Sequence, residues 1–339
     1  MLNIFSSNPF YSHFVSLPDA DTPLSSEIRN NNKFWPYFKK ALGALDGSHF
    51  ASSPSSYLRD ACRNRKGFIS QNCLFACNFA FYFVYVLTGW EGSAMDARVW
   101  DDTQENGGFI IPDGYYYLAD AGYPLCQWLL MPYQGVWYYL AEWGRAHVQF
   151  VIYPYTATNY MLTTYLRPQN KEELFNLCHT STRNVIEQIF GVLKCCFRIL
   201  YMAPKYSMDI QACIPAALAA IHNFICIHDP ETNPIPDEDH DTRHVNDADH
   251  QASSLEAEQQ DDISDMRQDE IAQAMWDDYL AYHAVNHGES DDDIGDNRNS
   301  DNSSSTSSTH TWEVRYNIFT MTPTAIHYRT SSWTHHLHQ

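Results

Sequence analysis

The stretch Ala41-Leu-Gly-Ala-Leu-Asp46-Gly-Ser-His49-Phe50 is a small apolar run that stops at an acidic residue followed by glycine. Leu42, Ala44 and Leu45 suit a central strand covered on both faces, and Gly47 lets the backbone turn away so that Asp46 projects at the strand tip. A single carboxylate in such a place more often caps a turn than does chemistry. The reading therefore depends on whether the rest of the chain supplies partners for it.

Working outward, a second segment repeats the device. Tyr115-Tyr-Tyr-Leu-Ala-Asp120-Ala-Gly-Tyr-Pro124 is an apolar strand that ends in aspartate with glycine two residues on. Between the two aspartates lies the most apolar part of the chain, Phe68 to Trp90. Its Asn72, Asn78 and dense Phe, Tyr and Val content predict two adjacent β-strands rather than a membrane span. Ser93-Ala-Met-Asp96-Ala-Arg-Val-Trp predicts a helix that opens on a serine cap, with Asp96 in its first turn and Gly107-Gly108 closing it. Further on, Ile186, Ile189, Phe190, Leu193, Phe197 and Leu200 recur at steps of three and four, which predicts a helix from Lys171 to about Leu200. Arg183, Glu187, Gly191, Lys194 and Arg198 form a polar stripe beside the apolar one. A last alanine-rich helix runs from Met208 to about His228.

Carboxylates on two neighbouring strands and a facing helix can converge on two hard divalent cations, because Mg²⁺ takes oxygen ligands and leaves positions for water and phosphate. Each residue also has a simpler use: Glu187 can pair with Arg183 one turn away, and Asp96 can serve the helix dipole. His49 and His222 are expected to be hydrogen-bonded core residues, since carboxylate sites for Mg²⁺ seldom use imidazole.

The flanks differ in composition. Residues 1–40 hold several aromatic residues among Pro, Asn and Asp, enough for one or two short helices, and are expected to be a truncated helical remnant. His147 to Tyr165 is strand-like in composition and is expected to be an insert within the main domain, 41–230. The chain carries 21 Lys and Arg against 41 Asp and Glu, a formal net charge of −20. Residues 1–228 account for 16 and 17 of these, so nearly all the acidity lies beyond them. That region, 231–339, is expected to be a largely disordered tail, dispensable for folding, within which Glu270 to His283 could form an amphipathic docking helix. The low overall pI argues against strong non-specific nucleic-acid binding by the whole chain. The nine cysteines contain no Cys-x-x-Cys pair and read as reduced, mostly buried thiols. The first residues lack a basic segment and a long apolar core, which predicts a nuclear or cytoplasmic protein without a signal peptide.

Five blocks in register carry a family resemblance. They are Ala-Leu-Asp46-Gly-Ser-His, Arg63-Asn-Arg-Lys-Gly-Phe-Ile-Ser-Gln-Asn, Gly89-Trp-Glu-Gly-Ser-Ala-Met-Asp96, Tyr117-Leu-Ala-Asp120-Ala-Gly-Tyr-Pro and Arg183-Asn-Val-Ile-Glu187-Gln-Ile-Phe-Gly-Val-Leu-Lys194. Together they resemble the nuclease domain of PIF/Harbinger-type DDE transposases over roughly residues 10–228. The resemblance implies an α/β fold, with an RNase H-like mixed sheet flanked by helices. It also implies metal-dependent DNA cleavage and strand transfer with Mg²⁺ or Mn²⁺ as cofactor. Asp46, Asp120 and Glu187 match the acidic triad, and Asp96 matches a further acidic position, so these four are the expected metal ligands. Arg63, Arg65, Lys66 and Lys194 suit a DNA backbone.

The chain departs from the pattern at Met95, where the family usually has histidine, at Cys195-Cys196, which replaces a basic pair, and at the insert. No helix-turn-helix is visible before Asp46, because the chain begins close to it, and a separate DNA-binding partner protein is an expectation alongside DNA. These departures support a second reading, a catalytically inactive transposon-derived protein that binds DNA or another protein.

Overall fold

The computed structural model describes residues 2–136, 168–229 and 261–287. The expected insert, His147 to Tyr165, lies outside the described residues, as does 288–339.

The deciding stretch is a strand, β1 (Ala41–Ala51), that continues five residues past Asp46. It pairs antiparallel with β2 (Ser70–Cys77) from Ala44 opposite Cys77 to Ala51 opposite Ser70. On its other side it runs parallel to β4 (Tyr116–Leu118), but only between Ala41 and Ala44. With β3 (Phe83–Glu91) and β5 (Leu129–Leu130) the sheet has the order β3-β2-β1-β4-β5. It is mixed, antiparallel across β3-β2-β1 and parallel across β1-β4-β5, in keeping with an RNase H-like α/β fold. The apolar run Phe68–Trp90 is thus the β2-β3 hairpin, turned by Asn78, whose side-chain oxygen accepts from the backbone of Ala80 and Tyr82 at 3.0 Å each.

All eight residues of β2 are buried, because helices cover both faces of the sheet and leave no polar side to alternate with. On one face Leu74 and Ala76 join Val99 and Trp100 of α4 (Asp96–Glu105), with Phe109 and Tyr117. On the other, Phe75 meets Phe190 of α5 (Lys171–Cys196) at 5.2 Å between ring centroids, with Phe50 and Phe83 alongside. The helix α6 (Met208–His228) also covers β3, and its Asn223 exchanges two bonds with the backbone of Phe83, at 2.9 and 2.7 Å. This helix is long and apolar enough to cross a membrane, and half of its most apolar window is buried inside the fold. The short helices α1 (Leu2–Phe5), α2 (Phe10–Phe14) and α3 (Ser26–Arg29) precede β1, and the first two pack on α6 through Phe10, Phe14 and Phe224.

Three findings differ from expectation. Asp46 is not at a strand tip: β1 runs on because β2 still pairs with it after β4 has ended. The helix α4 begins at Asp96 with Met95, not serine, at its cap position and without a side-chain capping bond. The amphipathic helix expected over Glu270 to His283 is α7 (Asp261–His287), which starts nine residues earlier and packs on the fold, burying Ala272, Met275 and Tyr279. Its side chains donate to successive outward carbonyls at the sheet edge: Arg267 to Gln127 at 2.7 Å, Ser264 to Leu129 at 3.2 Å and Gln268 to Met131 at 2.8 Å. Asp269 pairs with Lys171 at 3.3 Å and accepts from the Tyr133 hydroxyl, and Asp278 accepts from Tyr37.

Candidate active site

Asp46 sits where the parallel pairing of β1 with β4 stops, so its flank on that side is open to the segment that leaves β4. That segment brings Asp120, two residues past the strand, whose Oδ1 accepts from the Ala121 N–H at 2.8 Å. The next turn brings back Tyr123, whose N–H donates to the Asp120 carbonyl at 3.2 Å. Asp96 arrives from the sheet's other flank at the start of α4, held by Asn72 of β2. The Asn72 amide donates to Asp96 Oδ1 at 2.9 Å and to the Ala94 carbonyl at 3.1 Å. A Cβ on Gly47 would lie 2.7 Å from Asp96 Oδ1 and 3.4 Å from the Tyr123 hydroxyl. Glycine is therefore required next to Asp46 for close approach, not for the sharp turn expected from the sequence.

Glu187 is reached through Arg183, one turn earlier on α5. The Arg183 guanidinium donates to Asp46 Oδ2 at 3.1 Å and to Glu187 Oε1 at 2.6 Å, spanning the two carboxylates. The sequence suggested only the Arg183-Glu187 half of this bridge. The Arg183 side chain is 11 % exposed, against 21 % for Asp46 and 42 % for Glu187, so the bridge closes the inner side of the cluster.

The electrostatics tie the four acids together. Burial pushes Asp46 up to about 7; the charge of Arg183 opposes this, and those of Asp120, Glu187 and Asp96 reinforce it. Burial also holds the Tyr123 phenol well above its ordinary range, helped by the charges of Asp96, Asp46 and Asp120. Its hydroxyl is buried without a hydrogen-bond partner among the described residues, a neutral donor kept beside a surplus of acceptors.

His179, one turn before Arg183, is fully buried, and Nε2 lies 2.8 Å from the Leu130 carbonyl. A carbonyl can only accept, so Nε2 carries the proton and Nδ1 is left with a buried lone pair and no partner among the described residues. Burial pushes this imidazole down to about 4, with the Leu130 bond opposing and Arg183 reinforcing the shift. Because the folded value lies below the free one, the native state loses stability as pH falls from about 6.5 towards 4, by up to roughly 3 kcal/mol. Urea denaturation at pH 7 and pH 5 should show the parent faring worse than His179→Gln on going to pH 5, by about 2 kcal/mol, since Asp46 titrates alike in both. Equal slopes in parent and variant would assign the acid sensitivity elsewhere.

The other residues expected at or near the site lie around this cluster. His49 Nδ1 is 3.1 Å from the Ser70 hydroxyl and His222 Nε2 is 3.1 Å from the Phe81 carbonyl, so both are hydrogen-bonded as expected. Lys194 stands two turns after Glu187 with its ammonium over the rings of Phe50 and Phe190, at 5.4 and 5.9 Å. Arg63, Arg65 and Lys66 are on the loop that leaves β1 at Ala51 and are exposed, and Arg63 donates to the Gly67 carbonyl at 2.8 Å. Tyr123, His179 and Asn72 were not singled out for the site from the sequence. Tyr123 could have been, since it belongs to the Asp120 block.

For a divalent cation the donor chemistry fits: four carboxylates share one field with one guanidinium among them, leaving net negative charge and only hard oxygen donors. Among the described residues, no three such side chains already stand as a ligand cluster. The guanidinium of Arg183 lies between Asp46 and Glu187 instead.

The comparisons with known proteins bear on the same residues. The rat protein named "Putative nuclease HARBI1" is 27 % identical over 235 residues, which is 66 % of this chain and 58 % of that protein. The human and bovine proteins of the same name are 26 % identical over 261 residues, 73 % of this chain and 65 % of theirs. The chain thus matches less than two thirds of the length of these relatives. No solved structure matches it. The profile of the DDE superfamily endonucleases matches residues 45–226, more than half of the chain. That span opens one residue before Asp46 and takes in the elements that carry all four carboxylates, and on it the chain belongs to the DDE superfamily endonuclease family.

Proposed function

We propose that the protein is a transposase-type DNA endonuclease, in which Asp46, Asp120 and Glu187 hold divalent cations and Asp96 is a further ligand. The observation that carries this reading is that three acids from separate elements, Asp96, Asp120 and Glu187, act on Asp46 against one buried guanidinium. Bound Mg²⁺ or Mn²⁺ supplies Lewis acidity at a phosphate oxygen and lowers the pKa of water at neutral pH.

The chain's own residues do the rest. Asn72 fixes the carboxylate plane of Asp96, and Gly47 leaves room for it beside Asp46. Tyr123 stays protonated and offers its hydroxyl to the cluster. His179 stays neutral behind Arg183 and adds no positive charge that would compete for the acids. Arg183 neutralises part of the cluster and must loosen its hold on Asp46 and Glu187 when both carboxylates turn to another cation. Lys194 and the loop cations Arg63, Arg65 and Lys66 hold the DNA backbone. Strand transfer would use the same site with a DNA 3′-hydroxyl in place of water, acting on nuclear DNA.

The bridge by Arg183 favours one other reading, a DNA-binding protein that no longer cuts. Incubating supercoiled plasmid with the full chain and Mn²⁺ separates the two. Nicking that EDTA stops and Asp46→Asn removes supports the endonuclease; DNA binding without nicking under Mn²⁺ or Mg²⁺ overturns it in favour of the second reading.

A further inference from the structure

Two short segments, 52–69 and 197–207, hold six of the chain's 21 Lys and Arg but one of its 41 Asp and Glu. They are far apart in sequence, yet one buried side chain joins them. The Gln211 side chain accepts from the Ser53 N–H at 2.8 Å and donates to the Ser53 carbonyl at 3.2 Å, as a neighbouring strand would. The same amide donates to the Tyr206 carbonyl at 2.7 Å, and Gln71 donates to the Gln211 carbonyl at 3.0 Å. The Ser52 N–H donates to the Ile69 carbonyl at 3.2 Å, which draws the far end of the loop to the same point. The loop after β1 and the turn before α6 therefore make one surface.

Large rings that a fold normally buries stand in solvent there. Tyr57 is 82 % exposed, Phe68 66 %, Tyr201 63 % and Tyr206 58 %. Single exposed apolar residues need no explanation, but four rings on two joined segments, interleaved with cations on a chain of net charge −20, form a pattern. An apolar protein partner would account for the rings and not for the charge. A polyanion with flat apolar groups accounts for both, since each base offers a π-face and each linkage a phosphate.

We propose that this surface binds an unpaired stretch of DNA, with bases stacked on Tyr201, Tyr206 and the loop rings. Arg63, Arg65, Lys66, Arg198 and Lys205 hold its phosphates. The proposal deepens the endonuclease reading and rests on it for the choice of DNA: the surface would take the frayed strand beside the scissile bond.

The test is fluorescence anisotropy with the full chain in EDTA, using a labelled thymidine 20-mer and the blunt duplex of the same length. The single strand should bind more tightly than the duplex. Tyr201→Ala with Tyr206→Ala should weaken single-strand binding about tenfold or more and leave the duplex nearly unchanged. Tyr201→Phe with Tyr206→Phe should restore it, because the ring is kept. Arg63→Gln, Arg65→Gln and Lys66→Gln together should weaken both ligands and flatten the dependence on salt. All the substituted side chains are exposed, and an unchanged melting temperature verifies the fold. Equal binding of both ligands, an alanine variant that binds the strand like the parent, or tighter binding to anionic phospholipid vesicles than to DNA would each overturn the proposal. Because no metal is present, strand binding without any nicking under Mn²⁺ would sink the endonuclease reading alone. Nicking with no effect of the tyrosine variants on binding would sink the platform alone.

Discussion

Asp46→Asn, Asp120→Asn and Glu187→Gln are each expected to lower Mn²⁺-dependent plasmid nicking by about a thousandfold or more. Each substitution keeps size and removes a charge that a metal ligand needs. Loss of several kcal/mol of transition-state stabilisation, at about 1.4 kcal/mol per factor of ten, gives that magnitude. The three variants should differ in stability, which guards against mistaking unfolding for loss of chemistry. Asp46 has a folded-state value of about 7 against an ordinary 3.8, so its charged form is the disfavoured one in the metal-free fold. Removing that charge at pH 8 should therefore raise the melting temperature, and the parent should gain stability from this group as pH falls through 7. Glu187, which is 42 % exposed, should change stability little on becoming Gln. A variant that nicked at the parent rate would leave the ligand set; a less stable Asp46→Asn would show that its bond to Arg183 outweighs the crowding of like charge.

Ending the chain at residue 260 is expected to cost roughly 4 kcal/mol or more in urea denaturation relative to ending it at 287, with aggregation at moderate concentration. The difference is the helix α7. It buries Met275 and Tyr279 at 2 and 5 % exposure, each worth about 1.5–3 kcal/mol, with Ala272 and several hydrogen bonds in addition. A domain is typically stable by only about 5–15 kcal/mol, so this loss is a large share. Limited proteolysis should accordingly leave residues 261–287 with the resistant body. Equal stability of the two truncations would return the helix to the status of a dispensable tail.

The elements written in the sequence as strong periodic runs were legible: the β2-β3 hairpin, the helix opening at Lys171 and the helix Met208–His228. Elements that depend on distant partners were legible only in part. The position of Asp46 within β1 is set by where β4 stops, and β4 has three residues, too few to show their register in a pattern. The helix α7 presents Ser264, Gln268, Ala272, Met275 and Tyr279 as its buried stripe. The first two are polar because they meet carbonyls of the sheet edge, so only the second half of the stripe, within Glu270 to His283, reads as amphipathic in the sequence. Residues from the five blocks meet in the bonds and charges around Asp46, through Asn72, Asp96, Asp120 and Arg183, while the ligand set itself remains the proposal above. The double grip of Arg183 was out of reach, since its second partner lies on β1.

The side-chain donors of Ser264, Arg267 and Gln268 occupy the places that a sixth strand would fill. Sheet growth is blocked at this end by amide, hydroxyl and guanidinium groups rather than by charge or proline. Any strand that adds here, from another copy or another protein, must first lift α7 off the sheet. The rate of such assembly is then governed by the release of a helix and not by the frequency of collision.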